Sequence, residues 1–385
     1  MNNFTYHNPT RIHFGQGQIA KLAEEIPADA KVLITYGGGS IKKNGVLEQV
    51  HAALQGRNYQ EFGGIEANPH FETLMQAVEI VQRDGIDYIL AVGGGSVIDG
   101  SKFIAAAARY AGDPWEILTT YGSKIVDAVP LGTVLTLAAT GSEMNSGAVI
   151  TKAATQDKLF FFSPFVQPRF SILDPVTTYS LPARQIANGV VDAYVHTLEQ
   201  YSTYPVNAKV QDRIAEGLLR TLIEEGPVAQ ANPQDYDARA NLMWAATMAL
   251  NGTLSTGVPT DWATHMIGHE LTALYGLDHA QTLAIVQTAV WKHKLASKQA
   301  KLAQYAERVF DVREGSEASK AQAAIEQTEN FFAAMGNPPR LSAYGLGEEV
   351  IEAVAAKLIA HGHVALGEHA DITPEDAKAI LRLAL

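Results

Sequence analysis

Twice in the first hundred residues a β-branched run ends directly in Gly-Gly-Gly-Ser. Lys31-Val-Leu-Ile-Thr-Tyr36 leads into Gly37-Gly38-Gly39-Ser40, and Asp87-Tyr-Ile-Leu-Ala-Val92 leads into Gly93-Gly94-Gly95-Ser96. Runs that are apolar at nearly every position, not at alternate ones, belong to strands covered on both faces, the condition of a parallel sheet. Between them, Glu72 to Arg83 sets Leu74, Ala77, Val78 and Val81 at helical spacing. Strand alternating with helix predicts a doubly wound α/β unit. After Leu173-Asp174-Pro175 and Leu181-Pro182 the texture changes to long Ala/Leu/Glu-rich periodic stretches, which predict an all-helical unit. With 385 residues the chain is long enough for both, and the boundary is expected near residue 180: an α/β domain over 1–180 and a helical domain over 181–385.

Glycines behind a strand let backbone N–H groups approach a pyrophosphate, and the following helix N-terminus favours its charge. Gly93, Gly94, Gly95 and Ser96, with Asp99 and Lys102 beyond them, therefore read as a phosphate cradle and the N-terminal unit as dinucleotide-binding. The segment matches neither G-x-G-x-x-G nor the P-loop, and a tight strand-to-helix turn that needs glycine stays open as the other reading. The first copy, Gly37, Gly38, Gly39 and Ser40, carries no acidic residue and is followed by Lys42 and Lys43. An acid there would hold a ribose 2′-hydroxyl and repel a 2′-phosphate, so its absence points to NADP(H). A third cluster, Thr136 to Asn145 with Thr140 and Ser142, follows the strand candidate Val129 to Leu135; alone it is an ordinary polar loop.

In the helical half, Asp192 and His196 stand four residues apart, so one helix face presents a carboxylate and an imidazole. His265 and His269 repeat the spacing, and His279 follows the turn signal Gly276-Leu-Asp278. Any one of these histidines could be a hydrogen-bonded core residue; the matched set reads as a metal centre of Asp192, His196, His265 and His279. The chain has no cysteine, which leaves nitrogen and oxygen donors and suits one divalent metal such as zinc, iron or nickel. A formal net charge of −12 argues against a nucleic-acid partner. No apolar run reaches the roughly 20 residues of a membrane span, and the polar start Met1-Asn2-Asn3-Phe4 lacks signal-peptide character, so a cytoplasmic enzyme is expected.

Taken together these motifs resemble the iron-containing, or group III, alcohol dehydrogenases along essentially the whole chain. The segment Gly-Gly-Gly-Ser-x-x-Asp-x-x-Lys at 93–102, Thr140-Gly141-Ser142-Glu143, Asp192-x3-His196 and His265-x3-His269-x9-His279 carry the resemblance. It is strongest to the NADPH-dependent aldehyde reductase branch, often called butanol dehydrogenases. The resemblance implies an active site in a cleft between the two domains, pyrophosphate contacts from Gly94, Gly95 and Ser96, Thr136 and Ser142 beside the nicotinamide, and Lys158 near the cofactor. It implies the four metal ligands, with His269 close by and suited to proton transfer, a small aldehyde or alcohol as substrate, and a homodimer. Ala139 stands where the wider family commonly has glycine, and the aspartate of NAD-using members is missing from Gly37 to Gly39. A related architecture hosts metal- and NAD-dependent lyases of the dehydroquinate synthase type. Those need basic residues converging on an anionic substrate, and Asp261 to His279 offers none.

Overall fold

The computed structural model describes all residues, 1–385. All eight strands lie before residue 174: β1 (Arg11–Phe14), β2 (Lys31–Thr35), β3 (Asn58–Phe62), β4 (Tyr88–Gly93), β5 (Leu131–Leu135), β6 (Gly147–Lys152), β7 (Asp157–Phe162) and β8 (Phe170–Leu173). Six form one parallel sheet in the order β1-β8-β5-β4-β2-β3, and β6 and β7 form a separate antiparallel hairpin that the strand–helix alternation did not announce. Helices α1 (Leu22–Glu25), α2 (Val46–Ala53), α3 (Phe71–Asp84), α4 (Gly95–Ala107) and α5 (Glu116–Thr119) belong to this unit.

Side chains of the central strands alternate between two cores, as a period of two requires. Leu33, Ile89 and Ala91 join Leu74, Val78 and Ile98 on one face, while Val32, Ile34, Leu90 and Val92 join Ile19, Val46 and Val50 on the other. That double cover explains the unbroken apolar runs. Helix α3 buries Leu74, Ala77, Val78 and Val81 and stops at Gly85, whose φ of 64° closes the helix in the left-handed conformation.

Sheet order fixes where a ligand can enter. From β2 the chain moves outward to β3, then returns to the opposite side for β4, so the winding reverses between the neighbours β2 and β4. In open parallel sheets, ligands bind outside the carboxyl ends of the strands at this reversal. The two Gly-Gly-Gly-Ser segments are the loops there.

The second half is helical: α6 (Ala183–Tyr201), α7 (Lys209–Ala231), α8 (Tyr236–Ala249), α9 (Ala263–Tyr275), α10 (His279–His293), α11 (Leu295–Val309), α12 (Glu317–Ala334), α13 (Glu349–Ala360) and α14 (Pro374–Leu383). Helix α6 is its axis, buried at every residue from Gly189 to Tyr201. Helices α9, α10, α13 and α14 share a core that includes Ile267, Leu271, Ile285, Val354 and Ile380.

A single cut near residue 180 does not describe the compact units. Met1–Tyr6 clusters with the helical unit, and Pro233–Thr247 clusters with the α/β unit. The second exchange has identifiable anchors: Arg239 donates to the Thr178 hydroxyl, the Thr247 hydroxyl donates to Glu143, and the Trp244 ring meets Phe14 edge-on at 6.0 Å. No helix is long and apolar enough to cross a membrane.

Candidate metal centre and cofactor cradle

Helix α6 carries Asp192, His196 and Glu199 at i, i+4 and i+7, one face of a helix. His265 lies in the first turn of α9, and His279 is the first residue of α10. Asp192, His196, His265 and His279 each bring one donor atom to within 4.8 Å of all the others, and no other group of three or more such side chains converges in this way. Metal bonds of about 2.1 Å place neighbouring donors roughly 3.4 Å apart in a tetrahedron, so a cation fits with small side-chain adjustments. Asp192 Oδ1 lies 3.5 Å from His196 Nδ1 and 3.7 Å from His279 Nε2, and the His196 and His265 rings stack at 4.7 Å. Asp192, His196 and His265 are buried, whereas the His279 side chain is 24% exposed, leaving that side open. Three neutral imidazoles and one carboxylate leave a bound divalent cation net positive.

Further side chains orient the donors, and sequence reading missed them. Glu199 pairs with His265 Nδ1 and also accepts the Thr264 N–H at 2.7 Å. A proton on Nδ1 shared with a carboxylate leaves His265 Nε2 as the lone pair toward the other donors, the arrangement that metal-binding histidines use. Burial, then the charge of Asp261, pushes the Glu199 carboxyl well above its ordinary range. Asp278, next to His279, receives Asn188 at 2.7 Å and Arg184 at 2.6 Å from the start of α6, and caps α10 through a capping box with Gln281. The spacing Asp192, His196, Glu199 was a readable signal for the first of these; the Asp278 contacts had none.

His269 is 6% exposed, with its ring 5.3 Å from that of His279 and 6.2 Å from that of His265. Trp262, at φ 64°, packs edge-on against His265 at 5.3 Å. That left-handed conformation costs a bulky residue on the order of 1–3 kcal/mol. It is held by the Asp261 N–H to Glu199 carbonyl bond and by the buried Asp261–Lys298–Glu368 ion cluster.

In the α/β unit, the other predicted residues gather around the reversal of winding. The N–H groups of Gly95 and Ser96 precede the first backbone bonds of α4, which start from Val97 and Ile98. A side chain at Gly94 would run 2.9 Å from Leu137, and one at Gly95 2.4 Å from the Thr140 hydroxyl, so both glycines are demanded by the loop after β5. Thr136 joins the same loop by donating its N–H to the Gly93 carbonyl at 3.0 Å. The Ser96 hydroxyl accepts the Asn68 N–H at 3.3 Å, and the Asn68 amide oxygen accepts Lys158 at 2.9 Å, which links Ser96 to Lys158 through a residue not anticipated.

Across the reversal, Gly37 packs its α-carbon side against Ile65 and Val97, and Gly39 is left-handed at φ 89°. Gly38 faces open space, where a β-carbon would meet nothing within 4 Å. Lys42 is engaged by Glu61 at 3.6 Å and by the Tyr36 ring, while Lys43 is exposed beside Ser40. Asp99 accepts the Ser142 hydroxyl at 2.5 Å and the Val149 N–H at 2.9 Å. The cradle fits a pyrophosphate by its free N–H groups and absent side chains.

A glycine-lined strand-to-helix turn in one unit and a largely buried three-histidine, one-carboxylate cluster in the other are the two features that a metal-dependent dehydrogenase would need. The iron-containing alcohol dehydrogenase description matches residues 9–175, and that of the Fe-containing alcohol dehydrogenase family C-terminal region matches residues 186–385. The chain belongs to the iron-containing alcohol dehydrogenase family. It is 60% identical over 386 residues to the NADPH-dependent aldehyde reductase YqhD of Escherichia coli K12, covering 100% of both chains. To the probable NADH-dependent butanol dehydrogenase 1 of Bacillus subtilis 168 it is 44% identical over 390 residues, again covering 100% of both. The crystal structure of E. coli K-12 YqhD superposes with a TM-score of 0.99, covering 100% of this chain and 99% of that one at 60% identity. That of the NADH-dependent butanol dehydrogenase A of Thermotoga maritima gives 0.95 at 39% identity with the same coverage.

Proposed function

We propose that the protein is an NADP(H)-dependent, divalent-metal-dependent alcohol dehydrogenase that works mainly as a broad-specificity reductase of small aldehydes. The observation that carries this is the convergence of Asp192, His196, His265 and His279 within 4.8 Å in a chain of this family. When bound, the cation would supply Lewis-acid polarisation of a carbonyl and the nicotinamide a hydride. The protein's own residues do the rest. Glu199 keeps His265 in the Nδ1–H tautomer, Asp278 holds the start of α10 and with it His279, and buried Asp192 adds the one negative charge. Each aldehyde reduced takes up one hydride and one proton; His269, as an imidazole beside His265 and His279, is our candidate for delivering that proton to the product oxygen.

NADPH is the proposed cofactor, although the relatives carry names of both kinds. Supporting it are the absence of an acid over Gly37–Gly39, the open space at Gly38, and exposed Lys43. Binding of the pyrophosphate is assigned to Gly93, Gly94, Gly95 and Ser96, with Thr136, Thr140, Ser142 and Lys158 about the nicotinamide end. A homodimeric, cytoplasmic enzyme completes the proposal. The lyase reading is not favoured: Lys298, the buried lysine nearest in sequence to α10, is consumed by Asp261, Glu368 and the Ser202 carbonyl.

Protein loaded separately with iron(II), zinc or nickel should oxidise NADPH when butanal is added, faster than NADH, and should lose this on chelation. Absence of butanal-dependent NADPH oxidation with every metal would refute the proposal.

A further inference from the structure

Lys102 is fully buried, about two turns along α4 from the cradle glycines. Its ammonium reaches four acceptors, three on the loop between β5 and β6 and one on the first residue of β6: Ser142 Oγ at 2.9 Å, the Asn145 carbonyl at 2.9 Å, Asn145 Oδ1 at 3.0 Å and the Gly147 carbonyl at 2.7 Å. The loop is further closed on itself, since Asn145 donates to the Gly141 carbonyl at 2.9 Å and its Oδ1 accepts the Gly147 N–H at 3.0 Å.

An ammonium ion withdrawn from water is costly unless its protons are satisfied and a counter-charge is close. Burial draws the Lys102 pKa down to about 8, with Asp99 and then Glu143 opposing it. A methionine or leucine would fill the same space without that cost. What only the ammonium does is fix several loop oxygens relative to α4, the helix whose first N–H groups form the cradle.

The Ser142 hydroxyl has one proton and two lone pairs. The proton goes to Asp99 Oδ1 at 2.5 Å, and one lone pair takes Lys102. The other lone pair is what remains. Toward any third group Ser142 can then only accept.

We infer that Lys102 is a positioning residue for the cofactor: it locks the Thr140–Gly147 loop to the cradle helix and, together with Asp99, leaves Ser142 as an acceptor suited to an N–H donor such as the nicotinamide carboxamide. This rests on the reading of Thr140 and Ser142 as cofactor neighbours. Lys102 acts through Ser142 and touches neither cofactor nor substrate.

The test compares wild type, Lys102→Met, Ser142→Ala and the double variant. NADPH binding is titrated by fluorescence in metal-free protein, and KM and kcat are measured on the metal-loaded enzymes. Losing hydrogen bonds from a charged donor predicts an NADPH Kd about 10-fold or more higher in Lys102→Met. The KM for butanal and the bound-metal stoichiometry should not change. Because both substitutions break one network, the double variant should bind NADPH nearly as well as Lys102→Met alone.

An unchanged Kd in folded Lys102→Met overturns the inference. If Ser142→Ala weakens binding while Lys102→Met does not, only the role of Lys102 falls. If neither weakens it, the reading of the loop as a cofactor neighbour falls too. Weaker binding in Lys102→Met with additive effects in the double variant overturns the assignment of Ser142 as the acceptor. Should Lys102→Met fail to fold, Asn145→Ala removes one acceptor of the same ammonium and must raise the NADPH Kd in the same sense; no change there refutes the inference.

Discussion

Glu199→Gln isolates the support of a donor from the donor itself. In the native site the buried Glu199 carboxylate serves two donors at once, the His265 ring Nδ1–H and the Thr264 N–H at 2.7 Å. A glutamine has one acceptor oxygen, so one of the two donors must face an NH2 group. Loss of a charge-assisted hydrogen bond, or a buried donor left without an acceptor, costs on the order of 1–3 kcal/mol. Where His265 is the residue that suffers, its Nε2 becomes a poorer and less oriented donor, and metal affinity should fall about 10- to 100-fold. Fold stability should change less than metal affinity, because the hydrogen-bond loss is opposed by relief of the cost of burying a carboxylate, which already pushes the Glu199 carboxyl upward. The assay is competition for zinc or nickel between the protein and a chromophoric chelator, with a melting curve beside it. A well-folded variant that binds metal within about twofold of wild type would show that Glu199 does not govern His265.

Three further outcomes follow from individual residues. Gly38→Asp places a carboxylate in open space with ordinary backbone geometry, so it should raise KM for NADPH far more than KM for NADH; equal effects contradict the assignment of the first glycine loop to the 2′-phosphate. His269→Ala should keep its metal while turnover falls about 100-fold, as for a lost acid–base group; metal loss would make His269 a ligand, and unchanged turnover across pH would make it structural. Tyr194 and Tyr305 share a buried hydroxyl contact, and burial raises both phenols well above their ordinary value. The unfolded chain therefore releases protons first as pH climbs past about 10, and each such tyrosine removes about 1.4 kcal/mol of stability per pH unit above that value until its folded pKa is reached. Denaturant titrations between pH 9 and 12 should show a shallower alkaline loss in Tyr194→Phe, and an unchanged slope would contradict this.

Local periodicity made a good part of this molecule readable. Strands β2, β4 and β5 and helix α3 declare themselves because their neighbours in sequence are also their neighbours on a buried face. Asp192 and His196 converge for the same reason, one turn of α6 apart. What stayed hidden depends on partners distant in sequence. Glu199 meets His265 across 66 positions, Asn68 meets Lys158 across 90, and Asp278 meets Asn188 across 90. The placement of Pro233–Thr247 with the α/β unit is of this kind too, since Arg239 and Thr247 look like ordinary helix residues until Thr178 and Glu143 are seen beside them. Asp99 belongs here as well: its motif position suggests a contact with cofactor, while nothing in its neighbourhood in sequence shows that its oxygens also serve Ser142 and Val149.

The central claim is that one divalent cation held by Asp192, His196, His265 and His279 supports NADPH-dependent reduction of an aldehyde. Its most direct test is metal content and butanal turnover measured on the same preparations of wild type and His265→Ala. The account predicts one metal per chain and NADPH-dependent turnover in the wild type, with both lost together in the folded variant. Stoichiometric metal and wild-type turnover in His265→Ala would contradict it.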